Sequence, residues 1–200
     1  MSWIKQVPYG ESSGRLRAVY DRVRGQDGEV DNVLAVHSLR PHTLQGHLAL
    51  YKSVLHHTGN QLPVWLLETI GVYVSRLNGC QYCVDHHTAG LARLLDPERT
   101  AAIVAALDSP PAADVFGARE RAILGYVERL TREPHAVTRE DLEALRAVGL
   151  DDGEILEVNQ VASYFAYVNR VVLGLGVTTE GDVLGLSPTS GDDLDEWQHQ

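Results

Sequence analysis

The stretch ETIGVYVSRLNGCQYCVDHH, Glu68 to His87, holds both cysteines of the 200-residue chain. On either side of Asn78-Gly79 the pattern is helical. LPVWLLETIGVYVSRLN opens with Pro63 in its first turn, a position that tolerates proline. CQYCVDHHTAGLARLL follows at once. Glycine readily takes the left-handed conformation that ends a helix, so the chain is expected to turn back at Gly79. Along one continuous helix Glu68 would stand about 18 Å from Cys80, out of reach. After a reversal, Glu68 and His87 lie at heights differing by roughly one helical turn. Carboxylate and imidazole then meet directly or through one water.

A helix starting near Cys80 puts Cys80, Cys83 and His87 at i, i+3 and i+7, on one face. Cysteines at i and i+3 can close a disulfide with little backbone movement. A helix N-terminus lowers a thiol pKa, which favours Cys80 as the reactive sulfur. The imidazole one turn on favours Cys83, and a proton acceptor in contact outweighs about half a charge at a helix end. Glu68, His87 and Cys83 then read as a proton path, following the general logic of a nucleophile whose base is oriented by a third group.

Helical spacing continues through most of the chain. Leu16, Val19, Tyr20 and Val23 share a face that stops at Gly25. DNVLAVHSL is a short helix with Asp31 as cap. Leu44, Leu48, Tyr51 and Leu55 line the next, broken at Thr58-Gly59-Asn60. Asp96-Pro97 opens PERTAAIVAAL, and ADVFGARERAILGYVERLT is amphipathic. Thr138 caps REDLEALRAVG, and Asp151 with Glu154 has capping-box spacing. The helix they open, EILEVNQVASYFAYVNRVVLGLG, is apolar on more than one face, which points to the core or an oligomer interface. No segment alternates with period two. The fold class is all-α, with eight or nine helices in one domain over residues 1–177. Residues 178–200, rich in Gly, Ser, Thr and acid, read as a loosely ordered tail in which Trp197 is the one candidate for docking.

Seventeen basic residues against twenty-seven acidic ones give a net charge of −10, and Lys5 and Lys52 are the only lysines. Nucleic-acid binders are more often basic along at least one stripe, so nucleic acid and anionic membrane surfaces are excluded as partners. The N-terminus lacks the apolar core of a signal peptide, and no segment approaches the roughly 20 apolar residues that span a bilayer. A cytoplasmic location is expected. Thiols stay reduced there, so a close cysteine pair means redox chemistry or metal rather than a structural staple.

The pattern Glu-x11-Cys-x2-Cys-x3-His resembles the motif of AhpD-like alkylhydroperoxidases within the carboxymuconolactone decarboxylase superfamily. VSRLNGCQYCVDHH is especially similar to the peroxidase-related branch. The sharp match covers residues 62–95, with looser similarity over most of the chain. The resemblance implies an AhpD-like helical bundle and a thiol-dependent peroxidase needing no metal, haem or flavin. By it, Cys83 attacks the hydroperoxide and becomes a sulfenic acid, Cys80 resolves it as a disulfide, and Glu68 with His87 relays the proton. It further implies a dithiol reductant, lipoyl-bearing or thioredoxin-like, and a homo-oligomer, trimer or hexamer. Tyr82 departs from the best-known member, which has a histidine there.

Other readings compete. A structural zinc site would take Cys80, Cys83 and His87, with His56 or His57 as fourth ligand. Simple core packing of the cysteines leaves Glu68 and His87 unexplained. Two further functions fit the same fold: a decarboxylase-like enzyme that does not use the cysteines, and a non-catalytic redox sensor. Ser75 shares the Glu68 face and either bonds near the site or solvates a groove. His86 reads as a surface residue. His37, His42, His47, His56 and His57 read as ordinary surface or core histidines, and Tyr164, Phe165 and Tyr167 as core.

Overall fold

A computed structural model describes residues 2–25, 28–108 and 114–197. It is all-helical. The helices are α1 (Gly14–Val23), α2 (Asn32–Ala35), α3 (Pro41–Leu55), α4 (Val64–Leu77), α5 (Gln81–Leu94), α6 (Pro97–Ala106), α7 (Ala118–Arg132), α8 (Arg139–Ala147) and α9 (Asp152–Leu175). No β-sheet forms among the described residues.

Helix α4 is the axis of the bundle. Every residue from Leu66 to Ser75 is buried, and α5, α7, α9 and α3 all pack on it. A helix surrounded this way is largely apolar around its circumference, and its buried polar side chains, Glu68, Thr69 and Ser75, need partners inside the bundle. Gly71 allows α9 its close approach: a methyl group there would sit 2.2 Å from Cζ of Phe165. Helix α9 opens as its sequence signals, with Asp151 and Glu154 bonding each other's backbone N–H. Its core face carries Val158, Val161, Phe165, Val168 and Val172, while Leu156, Tyr167 and Leu173 stay exposed.

The turn between α4 and α5 is a Schellman motif. The Gly79 N–H donates to the Arg76 carbonyl at 3.0 Å, and the Cys80 N–H to the Ser75 carbonyl at 2.8 Å. Gly79 has φ +70°, the left-handed conformation expected of it. Cys80 therefore closes α4 and is also the N-cap of α5. The two helices lie side by side.

The C-terminal segment departs from the loose tail expected. Residues 178–197 lie across α3 and α5. The buried Lys52 ammonium donates to the carbonyls of Asp193 and Glu196, and the Gly191 N–H donates to the His56 carbonyl. Asp182 accepts from the Asn32 backbone N–H at 3.0 Å, satisfying the first turn of α2. Composition hid this because a stretch rich in glycine and acid also supplies turns, and its backbone carbonyls accept from a buried cation. Residues 198–200 of the expected tail lie outside the described residues.

Gly71→Ala is expected to overpack the α4–α9 contact and cost about 1–3 kcal/mol. Urea denaturation should show a lower midpoint with an unchanged slope.

Candidate active site

The reversal at Gly79 sets α5 against α4 so that Glu68 and His87 meet. Their Oε2 and Nδ1 atoms lie 2.6 Å apart. Glu68 is only 2% exposed, and a carboxylate so deep requires a partner. A carboxylate oxygen accepts, so the His87 Nδ1–H donates to it and the Nε2 edge of the ring is turned away from the carboxylate. The His87 ring is held edge-on by Phe165, with centroids 4.6 Å apart.

Sequence reasoning passed over the other side of Glu68. His56 Nε2 stands 3.9 Å from Oε1 and 3.1 Å from the Tyr51 hydroxyl. Burial pushes the His56 pKa down to about 4, although the Glu68 charge opposes this. The carboxylate thus sits between two imidazoles from different helices.

The two sulfurs lie 3.2 Å apart, within hydrogen-bond range, and both cysteines are free and buried. Asn169, buried on α9, lies beside both and donates to Ser75 Oγ at 3.0 Å. Its Oδ1 accepts from Asn78 of the turn. Ser75 therefore belongs to the thiol environment rather than to a solvated groove. Acidity and access divide the pair. The neighbouring Cys83 thiol steadies a Cys80 thiolate and lowers that pKa. The contact with Cys80 and burial hold Cys83 well above the ordinary thiol range. Access favours Cys83, which lines a cavity of about 60 Å³ with Glu68 and His87, while Cys80 lies fully buried behind it.

The cavity walls are largely aromatic. Tyr51, Tyr164 and His47 contribute from α3 and α9, and Leu186 and Trp197 from the C-terminal segment. His86, read as a surface residue, is buried against Tyr82, with ring centroids 4.5 Å apart. Asp182 accepts from the Tyr82 hydroxyl at 2.6 Å and lies 3.2 Å from His86 Nε2. Tyr82, where the best-known member has a histidine, also lines the cavity. Among the described residues, no three His, Cys, Asp or Glu side chains converge in a metal-binding arrangement, so the zinc reading finds no donor set.

A model of the carboxymuconolactone decarboxylase family matches residues 41–129, which include both cysteines, Glu68 and His87. An uncharacterized peroxidase-related protein from Ralstonia eutropha JMP134, described as an alkylhydroperoxidase AhpD core, is 25% identical with a TM-score of 0.74, covering 88% of this chain and 91% of that one. Another peroxidase-related protein, from Silicibacter sp. TM1040, is 29% identical with a TM-score of 0.66, covering 76% and 77%. The debrominase Bmp8 shares the fold at 19% identity, with a TM-score of 0.65 over 82% of this chain and 85% of that one. Residues 41–129 thus match this family, and the fold of the chain is shared with AhpD-like peroxidase-related proteins. No helix of the described residues is long and apolar enough to cross a membrane.

Buried neutral histidines make stability depend on pH. Burial and His37 push the His47 pKa down to about 3. The unfolded chain takes up these protons below about pH 6.5, whereas the folded chain refuses them until about 4 for His56 and about 3 for His47. The stabilisation is thus complete above about pH 6.5 and is lost as pH falls toward 4 and 3. Each histidine contributes a slope of up to about 1.4 kcal/mol per pH unit. Unfolding free energies from urea titrations at pH 7, 6 and 5 should fall accordingly, with a slope smaller by up to one proton in His47→Gln.

Proposed function

We propose that the protein is a thiol-dependent peroxidase that reduces hydroperoxides through a Cys80–Cys83 dithiol–disulfide cycle. One observation carries the reading: a contacting thiol pair, one member of it on the wall of a cavity that also holds a buried carboxylate–imidazole pair. The match to the carboxymuconolactone decarboxylase family and the likeness to peroxidase-related proteins support it. Cys83, on the cavity wall, attacks the terminal peroxide oxygen and the O–O bond breaks. Its proton passes to Nε2 of His87, whose ring Glu68 holds at Nδ1, and from there to the leaving alkoxide, which departs as the alcohol.

Cys80 then attacks the Cys83 sulfenic acid. A disulfide forms, and the hydroxyl leaves as water with the Cys80 proton. A reducing dithiol, supplied by a lipoyl-bearing or thioredoxin-like protein, restores both thiols and becomes a disulfide itself. The balance is one hydroperoxide and one dithiol consumed, and one alcohol, one water and one disulfide produced. The exposed Leu156, Tyr167 and Leu173 support assembly as a homo-oligomer.

Peroxide loss should be followed with tert-butyl hydroperoxide and a dithiol. Turnover by the intact protein, abolished in Cys83→Ser, is the expected result. Cys80→Ser should stall with a trappable sulfenate on Cys83. Glu68→Gln should lower kcat/KM by about 100-fold. A sulfenate persisting in Cys83→Ser would transfer the attack to Cys80. One stoichiometric oxidation, with no recycling by any dithiol, would replace the enzyme with a sensor.

A further inference from the structure

Part of the cavity is built by the segment that the sequence left as a tail. Gly185, φ +79°, lies so close on α5 that a Cβ would come within 2.7 Å of the Ala89 backbone. Leu186, Ser187 and Trp197 complete the wall facing Cys83. Trp197 is 9% exposed, and among the described residues its indole Nε1 has no hydrogen-bond partner. His47, on the same cavity and 3% exposed, has an unpartnered Nδ1. A buried polar group left this way keeps its full desolvation penalty. Neither belongs to the thiol, carboxylate and imidazole machinery. Two such groups on one cavity mark a place where a ligand supplies the missing bonds.

The chemistry of the walls sets the ligand. Trp197 can only donate, so the ligand must offer an acceptor oxygen. A neutral imidazole offers one donor and one acceptor, which suits a hydroxyl or peroxide oxygen. The carboxylates of Asp31 and Glu68 line the cavity, and no arginine or lysine does. An anion would enter unpaired and against like charge. At about 60 Å³, and with roughly 10–15 Å³ needed per water by this measure, there is room for only a few non-hydrogen atoms beyond the peroxide.

We propose that Trp197 and His47 form an oxygen-binding subsite that selects small, uncharged hydroperoxides and rejects anionic ones. The ligand class rests on the peroxidase reading, while the subsite itself is read out by binding alone. The test uses Cys80→Ser/Cys83→Ser protein, which cannot turn over. Ligand-observed NMR titration gives the Kd for tert-butyl hydroperoxide and for isobutyrate, an inert anion of similar size. The peroxide should bind saturably, and isobutyrate at least tenfold more weakly. Trp197→Phe keeps the ring and removes the N–H, and should weaken peroxide binding about tenfold. His47→Leu should act similarly. Trp3→Phe, at a tryptophan 79% exposed and away from the cavity, should change nothing.

Equal binding of isobutyrate, or peroxide binding unchanged in both Trp197→Phe and His47→Leu, would overturn the subsite. So would peroxide binding equally weakened in Trp3→Phe. Circular dichroism melts of each variant separate lost contacts from lost folding. If the peroxide binds as expected but the intact protein never turns it over, the subsite stands and the peroxidase reading falls. Turnover indifferent to Trp197 and His47 sinks the subsite alone.

Discussion

The site depends on a backbone hydrogen bond, from the Cys80 N–H to the Ser75 carbonyl. That bond can form only if the residue between the helices takes a left-handed conformation, and Gly79 does so without steric cost. Through it the last turn of α4 and the first of α5 share one set of residues. A small shift here would move Cys83 and His87 together relative to Glu68. The buried Asn78–Asn169–Ser75 network ties the same turn to α9. The reversal is therefore braced by a third helix as well as by its own backbone.

Around that turn the fold spends apolar burial on a single helix. Because α4 is enclosed on all sides, Glu68 cannot reach solvent and must be neutralised or paired inside the bundle. The partner it finds is the imidazole that the turn delivers, with a second imidazole, His56, nearby on the other side. Packing thus determines electrostatics. The Phe165 ring that fills the notch at Gly71 also stands against His87, so the same contact joins core stability to the orientation of a base.

Much of this was legible in the sequence because it is local. Helix periods, the Asp151–Glu154 cap, the Asn78-Gly79 break and the spacing from Glu68 to His87 all depend on neighbours along the chain. What could not be read came from across the fold. His47 and His56 lack any carboxylate at ligand spacing, and only the packing of α3 on α4 and α9 brings them in. Asn169 stands alone in an apolar helix, a buried polar residue whose partners lie about ninety positions away. Asp182 and Trp197 sit in a stretch whose composition mimics disorder. Lys52 was a usable clue: one of only two lysines, in a helix otherwise lined by leucines, needs carbonyls from somewhere.

The central claim is that the reversal gives His87 a carboxylate on Nδ1 and leaves Nε2 as a base. Nitrogen-15 NMR of histidine-labelled protein near neutral pH tests it directly. The account predicts a low-field proton on His87 Nδ1, an Nε2 without hydrogen, and loss of that pattern when Glu68 becomes glutamine. A His87 protonated on Nε2 alone, unchanged by that substitution, would contradict it.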